Sequence, residues 1–239
     1  MLYQIEWTRL FIVLIPQSAV SFIYLLISYK LLHRRKDQLI ILLVSTYITL
    51  FLVSLINNSF VFLLIIEFEN SLLMKGLYYI LSFLTLFGFI FLLLFIVLLY
   101  KTDIKHIKKT FIIIIIINAL NFLLFLFIPD SISFNINENW NIQFSIFFTL
   151  TIYIYFALLI AFPIFIFSNR IYLSFEDNQL KKRFKFFMIG VFFYLLDLYG
   201  AILYNTWHNS IYRSIWSIIT FILLISSSIL IYYGIVKSL

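Results

Sequence analysis

Polar and apolar positions in this chain fall into long blocks. Seven apolar runs, at about residues 10–32, 39–66, 76–100, 111–128, 144–167, 184–204 and 215–236, alternate with short polar connectors. Each run holds 18 to 28 residues. At 1.5 Å rise per residue that is enough for a helix to cross a ~30 Å hydrocarbon layer, with tilt in the longer cases. The pattern predicts an all-α integral membrane protein, a bundle of seven transmembrane helices forming one domain over residues 1–239. The connectors are "HRRKDQ", "EFENSLLMK", "KTDIKHIKKT", "PDSISFNINENWN", "SNRIYLSFEDNQLKKR" and "NTWHNSIYRS". None is long enough to hold a folded domain. The fourth reads as an Asn- and Ser-rich loop, a candidate lid or contact surface.

Charge then orients the bundle. The first, third and fifth connectors and the C-terminus carry 14 of the 17 Lys and Arg residues. By the positive-inside rule the N-terminus is outside and the C-terminus inside. Glu6, Glu67, Glu69, Asp130 and Glu138 lie on the sparse side, and Trp7, Trp140, Trp207 and Trp216 fall at predicted outer edges, where indole suits the headgroup layer.

Composition agrees: 64% of residues are hydrophobic and 11% charged. A soluble domain carries roughly twice that charged fraction. The net charge of +7 is spent on topology and contact with anionic lipid, so no nucleic-acid partner is expected. "MLYQIEWTRL" lacks a basic start and the first run is too long for a signal core, so no cleaved signal peptide is expected. The localisation expected is the cell membrane, multi-pass, with the lipid bilayer as obligate partner.

Asp197 is the one acid inside a span, where an ionised carboxylate is costly. It must face the bundle, pair, or sit neutral. Phe193, Tyr194, Gly200 and Ala201 share its helical face, with Gly190 and Tyr204 a turn further, so another helix or a ligand can come close. Counting from the outer span ends, Asp197, Gln17 and Asn121 lie roughly 10 Å deep, and Asn57, Tyr153 and Ser18 about 12 to 13 Å. Asn58 and Asn118 lie near the same layer. The amides read either as interhelical glue or as the lining of an outward-opening pocket. The serines at 226–228 are expected to bond their own helix backbone, and Pro16 and Pro163 to kink theirs.

Several chemistries are excluded. The last run has no lysine for a retinal Schiff base, and the receptor motifs "acid-Arg-Tyr" and "NPxxY" are missing from "LLYKTD" and "IYYGIV". Cysteine is absent, and His33, His106 and His208 are scattered over connectors on both sides. With no second acid beside Asp197, no metal site, dyad or nucleophile assembles. No enzyme and no cofactor are expected.

The segment "EDNQLKKRFKFFMIGVFF" resembles the entry to helix six in the seven-helix sensor region at the N-terminus of certain prokaryotic histidine kinases. The positions that carry this resemblance are Asp177, Gln179, Lys182, Arg183 and Gly190. It implies a long inner loop and a receptor-like sensor, here ending at Leu239 without an output domain. The dipeptide in "LIPQSAV" resembles PQ-loop transporters, though "AFPIF" in helix five has the proline alone. The expectation is a sensor whose outer pocket is lined by Gln17, Asn57, Asn121, Tyr153 and Asp197 and takes a small extracellular ligand. Its signalling face is Arg170, Lys181, Lys182 and Arg183, acting on a cytoplasmic or membrane partner. A small transporter and an accessory or assembly subunit are the alternatives.

Overall fold

The structure is a computed structural model that describes residues 7–34, 37–65, 70–100, 104–135 and 141–236. The helices are α1 (Trp7–Arg34), α2 (Gln38–Ile65), α3 (Ser71–Tyr100), α4 (Ile104–Leu126), α5 (Ile146–Phe156), α6 (Phe162–Ser174), α7 (Asn178–Thr206) and α8 (Ser210–Ile231). A π-helical turn, Ala157–Ala161, joins α5 to α6 in one continuous rod, and a second, Tyr232–Val236, extends α8. Among the described residues five rods are long and apolar enough to cross a membrane, and α4 adds a shorter apolar stretch, Phe111–Leu126. The chain is a multi-pass helical membrane protein. Its outer surface is correspondingly greasy, with Phe127, Ile146, Phe147 and Ile211 each more than two-thirds exposed.

Small polar residues start the helices where the runs begin. Asp37, Asn70, Ser145, Asp177 and Asn209 each accept a backbone N–H of the first turn through a side-chain oxygen, at 2.7 to 3.2 Å. These are N-caps, worth about 1 kcal/mol apiece. The Asp177 cap shortens the fifth connector. α6 runs on to Ser174 and α7 starts at Asn178, so the expected long loop is only Phe175, Glu176 and Asp177. Much of its polar sequence is helix projecting beyond the apolar run.

α3 occupies the centre. Leu92, Leu93, Leu94, Phe95 and Ile96 are all buried. Five successive buried residues cover more than a full turn, so neighbours surround that helix on every side. The Phe89 ring lies 5.1 Å from Phe156 and 5.3 Å from Tyr194, and Phe95 lies 5.9 Å from Phe187. α2 and α4 flank α3 as well, and α1 closes the ring against α2 and α8.

Between α4 and α5 the expected loop is instead a β-hairpin, β1 (Ile132–Asn135) paired antiparallel with β2 (Asn141–Phe144). Ile132 faces Phe144 and Phe134 faces Ile142, while Ser133 pairs with Gln143. The period of two puts the apolar residues on one face. That face packs on the bundle end: Phe134 meets Tyr78 edge-on at 5.7 Å and Tyr79 at 6.4 Å, and Phe144 meets Phe148 at 5.1 Å. Asp130 adopts φ 55° in the turn leading in, a left-handed conformation that Asp tolerates.

Pro163 cannot donate to the carbonyl four residues back. The π turn before it supplies the slack, since Phe162 N–H bonds Ala157 O, five residues back. The rod therefore passes through the proline unbroken. α1 is likewise helical through position 16. Glu6, Glu67, Glu69, Glu138 and Trp140, the Trp7 and Pro16 side chains, and Lys237 lie outside the described residues.

Candidate functional site

The α7–α8 seam is built on small residues. A Cβ added at Gly190 would meet Ile231 Cγ1 and Ser227 O at 2.9 Å, and one at Gly200 would run into the Trp216 indole. Close approach of these backbones leaves α8 carbonyls facing α7, and Ser227 and Ser228 turn their hydroxyls back onto Leu224 O at 3.0 and 2.7 Å. This is the self-bonding expected of the serine run.

Asp197 sits in this seam. The residue is half-buried, but its Oδ1 is sealed from solvent and has no hydrogen-bond partner. Thr220 of α8 approaches the carboxyl as a hydrogen-bonding neighbour. Two buried tyrosines, Tyr194 of α7 and Tyr24 of α1, interact with it, and Tyr47 of α2 packs on Tyr24. Tyr194 OH donates to Tyr24 OH at 3.3 Å, and Tyr47 OH to Ser228 O at 3.4 Å. The Tyr24 and Tyr47 rings are 6.0 Å apart. These bonds exceed the usual 2.5–3.0 Å for O–H···O, so the cluster is loosely tied. An acid with an unpartnered oxygen beside phenols can accept a proton donor or a cation.

The other expected site residues lie at separate seams. Asn121 Nδ2 donates to Tyr155 OH at 3.2 Å, and Tyr155 OH donates to Asn118 Oδ1 at 2.7 Å, a clamp between α4 and α5. Tyr153 OH donates to Tyr199 O, tying α5 to α7, with their rings 4.9 Å apart. Thr149 and Thr206 join the same pair at 2.6 Å. Gln17 on α1 has a buried, unpartnered Oε1. Asn58 Nδ2 reaches Ser18 Oγ at 3.3 Å, with its own Oδ1 unpartnered, and Asn57 is half-buried next to it on α2. Among the described residues no hydrogen bond joins any two of Gln17, Asn57, Asn121, Tyr153 and Asp197. Helical spacing had placed Tyr194 on the face of Asp197, but Tyr24, Tyr47 and Thr220 were not foreseen, because tyrosine in an aromatic-rich span reads as packing.

Towards the hairpin, Asn205 Nδ2 donates to Tyr78 OH at 3.0 Å. Asn205 is eight residues beyond Asp197, so the acid lies roughly 12 Å below this contact along α7. At the opposite end are the basic residues. The Arg170 guanidinium lies 5.9 Å from the Tyr100 ring and Lys181 Nζ 5.1 Å from Tyr172, while Lys182 is exposed and Arg183 half-buried. Among the described residues no group of His, Asp and Glu could hold a metal ion. No protein-family profile matches the chain, and no curated protein sequence is significantly similar to it.

Proposed function

We propose that the chain is a receptor-like sensor of the cell membrane with seven spans, the hairpin end outside and the basic end inside. The observation that carries this reading is the unpartnered, sealed Oδ1 of Asp197 at a seam between two helices. A buried acceptor without a donor destabilises the packing that holds it, by about 1–3 kcal/mol for a neutral group and more for a charge. A ligand bearing a hydroxyl or a cationic nitrogen relieves that penalty and thereby favours a second α7–α8 packing. α7 is one continuous helix from Asn178 to Thr206. Lys182 is 15 residues from Asp197, about 22 Å along the axis, so a shift at the acid is delivered to the basic end for a partner to read. In this reading the hairpin covers the route from outside, and Gln17, Asn57, Asn121 and Tyr153 serve the neighbouring seams.

Single cysteines at Asn57, Asn121, Ala201 and Asp197, labelled with a membrane-impermeant maleimide from each face of sealed vesicles, test the reading. The chain has no cysteine of its own to confuse the signal. A sensor labels at Asp197 and Ala201 from the hairpin side alone. Labelling from both sides converts the proposal to a carrier. No labelling, with an exposed control at Asn209 reacting, means the polar residues only hold helices together.

A further inference from the structure

A groove of about 180 Å³ runs between α1 and the end of α8, lined by Ile23, Leu26, Ile27, Lys30, Ile229 and Tyr232. On α1 the residues 23, 26, 27 and 30 follow helical spacing, so they form one stripe with Lys30 at its end. Tyr24 neighbours Ser228, and Lys30 lies over the Tyr232 ring at 5.8 Å. Both contacts advance in the same direction, so α1 and α8 run parallel and Lys30 is level with the π turn. The groove has a physical origin. At Gly234 a Cβ would lie 2.6 Å from Phe187 N and 2.9 Å from Arg183 O, so the end of α8 is drawn onto α7. The gap is left on its other side, against α1. The flanks, Phe22, Leu25 and Tyr29, are exposed. The slot is thus open to the hydrocarbon, apolar along its length and closed at one end by an exposed cation.

We propose that this groove is a binding site for one anionic phospholipid. An acyl chain lies along Ile23, Leu26, Ile27 and Ile229, and the phosphate pairs with Lys30 while the Tyr232 ring walls that end. The charge complementarity selects an anionic over a zwitterionic headgroup, and the apolar length selects a lipid over free phosphate. The site depends on membrane residence alone and stands whether or not Asp197 senses a ligand.

Bimane on Phe22→Cys beside the groove, with Leu158→Cys on the far side as a control, reads lipid occupancy. The protein is placed in phosphatidylcholine bilayers titrated with acyl-brominated phosphatidylglycerol or acyl-brominated phosphatidylcholine. At position 22 the anionic lipid should reach half-quenching at about fivefold lower mole fraction than the zwitterionic one. No preference is expected at position 158. Lys30→Gln should abolish the preference and Lys30→Arg should keep it. Equal quenching by the two lipids at position 22 overturns the proposal, as does an equal preference at both positions. If Lys30→Gln does not fold, loss of the wild-type preference in high salt replaces it, and a salt-independent preference is then the overturning result.

Discussion

Gly190→Ala is the sharpest perturbation of the α7–α8 seam, because its companion Gly76→Ala removes the main ambiguity. Both glycines lie inside helices, α7 and α3. Each substitution therefore gains about 0.8–1.0 kcal/mol in helix propensity. At Gly76 an added Cβ meets nothing within 4 Å, so that gain is the whole effect. At Gly190 the new atom would sit 2.9 Å from Ser227 O and 3.0 Å from Ile231 N. These are backbone atoms and cannot rotate away, so α8 must shift as a unit. Overpacking of this kind costs about 1–3 kcal/mol. Propensity cancels between the two variants, so their stability difference isolates the clash. Reversible unfolding in mixed micelles by SDS titration measures it. Gly76→Ala should be more stable than the parent, and Gly190→Ala less stable than Gly76→Ala by about 1–3 kcal/mol. Equal stability of the two variants would refute the close seam, and with it the placement of Asp197.

Other expectations follow from the contacts between rods. Tyr155→Phe and Asn118→Ala should each lower stability by about 0.6 kcal/mol, up to ~1.7, and the double variant by less than their sum, since they share one bond. Asp177→Ala should destabilise by about 0.5–2 kcal/mol through loss of the cap on Gln179 N, with Asp177→Asn close to the parent in the same titration. Phe134→Ala removes the edge contacts to Tyr78 and Tyr79, each worth about 0.5–1.5 kcal/mol. It should speed amide exchange in the hairpin while leaving α3 protected, and a uniform change across the bundle would count against a separately docked hairpin.

The apolar runs made the rods legible because a 20-residue hydrophobic block has few alternatives. Their ends moved outward: the fifth run begins at the expected depth, but α6 carries its helix through Arg170 to Ser174. A composition rich in Asn and Ser concealed the hairpin, although "ISFN" and "NIQF" already alternate apolar and polar residues. Pro163 marked a real irregularity, and its form, a π turn rather than a break, depends on which carbonyl Phe162 can reach. Asp197 was legible as an anomaly. Its neighbours across the seams were not, because Tyr24 and Thr220 come from other helices and only packing brings them to the acid. The amides at 118 and 121 face the same limit: spacing put them at one depth, and Tyr155 of another helix decides what they bond. Asp177 and Gln179, which carry the resemblance to kinase sensors, are also joined locally, since Asp177 caps α7 by accepting the Gln179 N–H of its first turn.

The central claim is that the state of Asp197 is coupled to the basic end of α7. Nitroxides at Lys182→Cys and Lys109→Cys, both exposed positions, report the separation of α7 from α4 by pulsed electron resonance. Asp197→Asn supplies the amide donor and removes the charge in one step. The account predicts two distance populations whose ratio changes by at least about fivefold in this variant, the equivalent of ~1 kcal/mol. Asn118→Ala should leave the ratio unchanged. A distance distribution identical in the parent and in folded Asp197→Asn would contradict it.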